Sequence, residues 1–248
     1  MQFATMTLSL VGSNSPANLS SRPICIAVLD ELDSFAAPSE KDAAAYSLAL
    51  ERTKAFPQRK HVLTSTPTLN TGDIWINYQA GTQETFHVPC HACGKFQAME
   101  FGQIRWDETA RSEDGKWDMR KVTETAAYYC TKCDAPWSER NRRQSIEQGK
   151  WVAANASSEV GRRSFRLPSW YSPTITFADC AKKFLTEKHY LHGLQGWVNG
   201  WSAMPWEDQF DDNELNNIPP GAFAKKQEWE VEHIKLAAID RQIDGYWY

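Results

Sequence analysis

Two cysteine pairs constrain this chain more than any other feature: Cys90-His91-Ala92-Cys93 and Cys130-Thr131-Lys132-Cys133. Each CxxC turn aims two sulfurs at one point, and two such turns can close a tetrahedral thiolate shell around Zn2+. Any fold that does this must bring two distant turns edge to edge and fill the gap between them with an extended hairpin. Gly94, directly after the first pair, suits the left-handed step that ends such a turn. The competing readings are redox dithiols or unrelated buried thiols, and two CxxC units in one strand-rich region favour the metal. His87 and His91 flank the cluster, but four thiolates already fill the shell, so neither is expected to ligate. Cys25 and Cys180 fall on apolar faces and read as core.

The compartment argument points the same way. The opening "MQFATMTLSLVG" has no basic n-region and no long apolar core, so it is not a signal peptide. Without secretion, a metal site is favoured over a disulfide framework, and the cytoplasm is the default location. No apolar run reaches the ~18 residues of a membrane span. The formal net charge of −4 gives no global basic field, so a nucleic-acid contact would need a local patch. Arg140, Arg142 and Arg143 on a helix after the cysteines, with Arg162, Arg163 and Arg166, could meet phosphates. A solvated helix face and a turn are the reading favoured for them.

Upstream of the cysteines the pattern is α/β. "TLSLVGSNS" reads as a short strand over Leu8 to Val11. "ICIAVL" is apolar without alternation, as a strand buried on both faces should be. "SEKDAAAYSLALERTKAF" is a helix with acids at its start and bases at its end. "HVLTSTPT" is a second apolar strand that ends in hydroxyls and Pro67. Strand, helix and strand at this spacing make a parallel crossover. Ligand chemistry then gathers at the strand C-termini, where Asp30, Glu31, Ser65 and Thr66 fall.

An apolar strand ending in Asp30-Glu31 is how an ATPase delivers a magnesium-site acid and a catalytic base to a nucleotide, although any buried strand can end in acids. Small hydroxyls ending a neighbouring strand, as Ser65 and Thr66 do in "LTSTPT", couple nucleotide state to movement in helicase-like motors; the plainer reading is an ordinary strand-to-loop exit with Pro67 as its stop. A phosphate loop of the form GxxxxGK[ST] is missing. Gly94-Lys95-Phe96, Gly115-Lys116-Trp117 and Gly149-Lys150-Trp151 lack the hydroxyl residue, and none precedes the Asp30 strand.

Downstream, "SERNRRQSIEQ" reads as a helix with Ser138 as N-cap and Gly149 as its stop. Thr176 and Asp179 match a capping box for a second helix. Leu194, Trp197, Val198 and Trp201 give the face of a third. Residues 207 to 230 are acidic and punctuated by Pro and Gly, as a linker is. "LAAID" is an apolar strand ending in Asp240, the way two-metal nucleases place their first carboxylate; from these residues alone a strand-terminal surface acid is the reading favoured.

These segments occur in a familiar order: "NSPANLSSRPICIAVLDELD", "LTSTPT", "FHVPCHACGKFQAMEFGQIRWD", "YYCTKCDAPWSER", "LPSWYSP", "MPWED" and "AAIDRQIDG". The chain resembles the large terminase subunit of tailed phages, of the lambda gpA type, over nearly its whole length. The resemblance implies an ATP-driven motor that packages viral DNA, followed by a magnesium-dependent endonuclease, working in the host cytoplasm. It implies a partial RecA-like ATPase sheet over residues 1–82 and an inserted zinc ribbon over 84–153. A helical linker subdomain over 154–206 and a linker with the first strand of an RNase H-like nuclease domain over 207–248 would follow.

By that resemblance Asp30 and Glu31 are the metal-site acid and catalytic base, and Ser65 and Thr66 the coupling motif. Cys90, Cys93, Cys130 and Cys133 bind Zn2+, and Asp240 is a nuclease carboxylate on Mg2+. The implied cofactors of the complete family protein are ATP and Mg2+. The implied partners are double-stranded DNA, the terminase small subunit and the portal, with no membrane. The family's phosphate loop lies upstream of what is Met1 here, and its other nuclease carboxylates lie downstream of Tyr248, so a middle segment, inactive alone, is expected. The rival functions are a non-catalytic zinc-ribbon module that binds DNA or protein, and a helicase remnant. The last would share the Asp30 motif but not the cysteines.

Overall fold

The computed structural model describes residues 7–13, 22–35, 45–156, 158–207, 240–242 and 245–247. The chain is mixed α/β and divides into two compact units, Met1–Glu207 and Asp208–Tyr248.

In the first unit, β1 (Ile26–Leu29) and β2 (Lys60–Leu63) pair in parallel, with Ile26 opposite Lys60 and Leu29 opposite Leu63. The crossover contains α1 (Ala45–Glu51), whose Ala49 packs with Ala27, Leu29 and Leu32 into a small core. The strand expected to be buried on both faces is buried on one. Ala27 and Leu29 are inside, whereas Ile26 and Val28 are 58% and 67% exposed. Among the described residues the covering side chains all belong to one face of the sheet, so alternation appears although every residue is apolar. Leu8 to Val11, expected as a strand, is irregular backbone. The helix expected from residue 39 is described only from Ala45, and residues 36–44 lie outside the described set.

Next come α2 (Asp73–Ala80), β3 (Glu84–Pro89) and β4 (Phe96–Ala98). Then β5 (Ile104–Arg105), α3 (Met119–Thr125), β6 (Ala127–Tyr129) and β7 (Pro136–Trp137) lead to α4 (Glu139–Glu147). β8 (Lys150–Ala153) and β9 (Phe165–Arg166) join β3 and β4 in one four-stranded sheet, and β5, β6 and β7 form a second sheet. Each sheet carries one cysteine pair at a hairpin end. Helices α5 (Phe177–Glu187) and α6 (Leu191–Gly200) complete the unit.

The caps follow the local sequence. Ser138 and Asn141 form a reciprocal capping box on α4, and Thr176 and Asp179 form one on α5. Gly149 ends α4 for a packing reason: a Cβ there would stand 2.3 Å from the Phe86 ring.

One aromatic core joins the two sheets to α5 and α6. Tyr128, Trp137, Trp170 and Phe177 are almost fully buried in it, with Trp197 at its edge. Rings of this size each remove roughly 150–250 Å2 from water, enough to hold a module whose strands are only two to six residues long. The "PSWYSP" segment plugs this core onto the sheet. Trp170 Nε1 donates to the Met99 carbonyl at 2.7 Å, and Tyr171 Oη donates to the Phe86 carbonyl at 2.5 Å and accepts from the Met99 N–H at 2.6 Å. Buried indole and phenol groups need such partners.

In the second unit a short antiparallel hairpin is described: β10 (Asp240–Gln242) pairs with β11 (Gly245–Trp247), and Asp240 stands opposite Trp247. Among the described residues no helix is long and apolar enough to cross a membrane.

Candidate metal centre and the acid-bearing strand end

The two CxxC turns are near copies of each other. In the first, the Gly94 N–H donates to the Cys90 carbonyl at 2.8 Å and the Cys90 N–H donates to the Lys95 carbonyl at 2.9 Å. In the second, the Asp134 N–H donates to the Cys130 carbonyl at 3.0 Å and the Cys130 N–H donates to the Ala135 carbonyl at 3.1 Å. The residue after each pair is left-handed: Gly94 has φ 69° and Asp134 φ 54°. Asp is one of the few non-glycine residues that tolerates this region. Within each turn an N–H points at the leading sulfur, from Ala92 to Cys90 and from Lys132 to Cys130, both at 3.4 Å.

This backbone brings Cys90, Cys93, Cys130 and Cys133 together with all four sulfurs within 4.8 Å of one another. Cys90 Sγ to Cys133 Sγ and Cys93 Sγ to Cys130 Sγ are each 3.8 Å. That is too long for a disulfide and equals the edge of a tetrahedron with sulfurs about 2.3 Å from its centre, the Zn–S distance. Burial opposes ionisation of Cys130, but the Cys133 and Lys132 N–H groups and the neighbouring thiols outweigh it and bring its pKa to about 6. A nearly buried Gln97 adds a further hydrogen bond from Nε2 to the Cys130 sulfur at 3.5 Å. N–H donors facing thiolates are what a ligating sulfur needs around it. The donor set, the spacing and the hydrogen bonds all fit Zn2+.

Neither histidine joins the cluster. His87 Nε2 shares a hydrogen bond with Thr85 Oγ1 at 3.1 Å, and His91 Nε2 meets the Pro136 carbonyl at 3.2 Å. Cys180 is fully buried in the aromatic core and its thiol is pushed up to about 12 by burial. Cys25 is half-buried, with its sulfur 3.9 Å from the Gln58 carbonyl.

At the other site, β1 ends in Asp30 and Glu31, both exposed. Asp30 Oδ1 accepts from Thr64 Oγ1 at 2.5 Å and from the Glu31 N–H at 3.1 Å. Glu31 is left-handed, φ 54° and ψ 47°, immediately before the 3-10 turn Leu32–Ser34. A glutamate held there carries backbone strain, which is worth retaining where a side chain must be aimed. Ser65 Oγ accepts from the Asp33 N–H at 3.1 Å, so the two strand ends are joined, while Thr66 is exposed. The hydroxyl that touches the acid is Thr64, one residue before the pair that the motif singles out.

Asp33 is the other residue the sequence did not single out. Its Oδ2 accepts from the Thr68 N–H and hydroxyl, both at 2.9 Å. Its Oδ1 accepts from the Ile74 N–H at 2.8 Å. The Thr68 carbonyl in turn accepts from the Trp206 N–H at 2.8 Å and from Asn199 Nδ2 at 3.1 Å. The strand-end loop is therefore bonded on one side to the acid-bearing turn and on the other to α6 and the "MPWED" segment. A DxxD spacing at a strand end followed by a TP turn is the signal that could have found Asp33.

The arginines expected on solvated surfaces are mostly engaged. Arg142 is 1% exposed, pairs with Glu139 and donates to the Trp170 and Ile175 carbonyls at 3.0 and 2.6 Å. It is a buried tether between α4 and the start of α5, because the aromatic core folds over that side of the helix. Arg163 binds Glu84 through two hydrogen bonds of 2.8 and 2.7 Å, and Arg166 donates to the Ser202 carbonyl at 3.1 Å. Asp240 opens β10, and its side chain is outside the described set.

Comparison with known proteins gives the family. Residues 1–151 match the family described as phage terminase large subunit gpA, ATPase domain. Residues 162–228 match the family described as terminase large subunit gpA, endonuclease domain. The chain is 25% identical over 218 residues to a terminase large subunit of Enterobacteria phage P21, covering 80% of this chain and 33% of that relative. It thus spans about a third of the length of the curated relative it matches. No solved structure matches it. The acid-ended strand, the cysteine module and the "WYSP" and "PWED" segments all lie in the matched region, and the chain belongs to the phage terminase large-subunit gpA family.

Proposed function

We propose that this chain is the central part of a DNA-packaging motor. Residues 1–82 would be the hydrolytic side of a RecA-like ATPase domain and 84–153 a zinc ribbon. Residues 154–206 would be a helical linker subdomain, and 207–248 the approach to an RNase H-like nuclease domain that Asp240 enters first. Double-stranded DNA, the small subunit and the portal are the partners that the family implies.

The observation that carries this reading is the Asp30–Thr64 hydrogen bond at 2.5 Å between the two parallel strand ends. The neighbouring strand would orient Asp30 to hold hydrated Mg2+, and Glu31 beside it would take a proton from the attacking water. Ser65 and Thr66 lie on the same loop, where a shift in the acid turn would be passed on through the hydrogen bonds of Asp33 with Thr68. When bound, Mg2+ would offset charge on the transferred phosphoryl group. Asp30, Glu31 and Thr64 would position that chemistry, and this sequence holds no GxxxxGK[ST] motif to cradle the phosphates.

The test is nucleotide turnover. The 248-residue chain is expected to show no DNA-stimulated ATP hydrolysis and no tight ATP binding. In a longer terminase chain that joins a phosphate-binding loop to this segment, Glu31→Gln should abolish turnover and spare ATP binding. Turnover by the 248-residue chain that Glu31→Gln removes, or full turnover in the longer Glu31→Gln chain, would contradict the assignment.

A further inference from the structure

Ion pairing divides the cations of this protein unevenly. Arg105, Lys116, Arg120, Lys121, Lys182 and Lys183 each sit within 4.0 Å of a carboxylate. Around the first CxxC turn and α4 the pattern reverses. Lys95, Arg140, Arg143 and Lys150 are exposed, and among the described residues no carboxylate pairs with them. Local acids are already taken: Asp134 binds Arg105 and Glu139 binds Arg142, which leaves Glu147. Four exposed cations without an ion-pair partner among the described residues thus stand at the metal-binding module of a chain of net charge −4.

In sequence these cations stand close to the residues that line one groove. Its volume is about 510 Å3, and its walls are His91 and Gly94 on the cysteine turn and Gln144, Glu147 and Gln148 on α4. Arg140 shares a helical face with Gln144 and Gln148, and Arg143 shares one with Glu147, by i, i+4 spacing. Lys95 follows Gly94 on the opposite wall, where its Nζ donates to Thr131 Oγ1 at 3.1 Å. Lys150 follows the end of α4 and lies 4.5 Å from the centre of the exposed Phe96 ring. From Arg140 to Gln148 the helix runs about 12 Å, a length along which one strand of duplex presents roughly three to four phosphates.

We propose that this groove binds the phosphate backbone of duplex DNA, with Arg140, Arg143, Lys95 and Lys150 as phosphate contacts and the amides of Gln144 and Gln148 as neutral hydrogen-bond donors. The choice of DNA over another polyanion rests on the terminase reading. A polar groove with exposed cations next in sequence to both of its walls supports backbone contact without base readout. Such a site would grip DNA irrespective of sequence, as a translocating motor requires, and its affinity would fall steeply with salt.

The experiment is fluorescence anisotropy of the zinc-loaded full chain with a short labelled duplex across a salt series. Replacing Lys95, Arg140, Arg143 and Lys150 together by Gln should weaken binding by roughly tenfold or more. The same variant should reduce the salt slope by about 0.9 for each phosphate no longer neutralised. Removing the same charge at Lys116, Arg120, Lys182 and Lys183 should leave affinity within about twofold. Lysine acetylation footprinting of the unaltered chain serves as a check that needs no variant: DNA should protect Lys95 and Lys150 but not Lys116. No duplex binding, equal weakening in both variants, or no selective protection would overturn the proposal. Zinc content and the Glu31 assignment are measured separately, so their failure is distinguishable from failure of the groove.

Discussion

Asp33 caps a helix to which it does not belong: its carboxylate accepts the Ile74 N–H at 2.8 Å across the strand-end loop. The residue at the N-cap position of α2 is Gly72, which has no side chain to do this, and a Cβ there would stand 2.4 Å from Asp33 Oδ2. The glycine gives up its own cap so that the acid-bearing turn can supply one. Asp33→Ala removes this cap and both Thr68 hydrogen bonds. It should lower unfolding free energy by about 2 kcal/mol, read from urea denaturation. The same variant should speed hydrogen exchange at Ile74 and at Trp206, whose N–H depends on the Thr68 carbonyl.

Arg142 should be the least replaceable arginine among the described residues. Arg142→Ala leaves the carbonyls of Trp170 and Ile175 without their side-chain donor inside the fold, while Glu139, a third exposed, still accepts from the Phe177 N–H. Stranding buried acceptors of this kind costs about 1–3 kcal/mol. The neighbouring Arg140→Ala, at an exposed position, should stay within about 0.5 kcal/mol. Thermal denaturation of the two variants side by side measures the contrast.

The Glu84–Arg163 pair predicts a pH dependence. The two hydrogen bonds from Arg163 hold the Glu84 carboxyl below its ordinary value of 4.5, against the effect of burial. A depressed folded value means that the contribution is complete above the ordinary value and is lost as pH falls through the folded one. Wild type should therefore melt higher than Glu84→Gln near neutral pH, and the gap should close as pH drops below about 4.5. A gap that persists unchanged in acid would show that the pair contributes nothing through charge.

Much of this architecture could be read from residue order alone, and the exceptions have physical causes. The parallel β1–β2 pair, the N-cap at Ser138, the capping box at Thr176 and the four-cysteine cluster were legible because each rests on a local rule: run length, cap chemistry or CxxC spacing. Exposure of Ile26 and Val28 was not legible, since an apolar residue does not announce whether anything covers it. Arg142 misled because its partners, Trp170 and Ile175, lie some thirty residues on and owe their position to the aromatic core. Thr64 and Asp33 were overlooked beside the stronger motif residues next to them, and only the register of the two strands joins them to Asp30 and Thr68. Asp240, expected to end the strand "LAAID", instead opens β10, while residues 236–239 and the Asp240 side chain lie outside the described residues.

Native mass spectrometry of freshly purified protein tests the central claim, that Cys90, Cys93, Cys130 and Cys133 close around one zinc ion. One Zn2+ per chain is expected, and Cys130→Ser should lose it. Chelation should release the amides of Cys90, Gly94, Cys130 and Asp134 to rapid hydrogen exchange, because metal binding and local folding are linked. A metal-free mass for the wild type, or a Cys130→Ser protein that keeps its full zinc complement, would contradict the account.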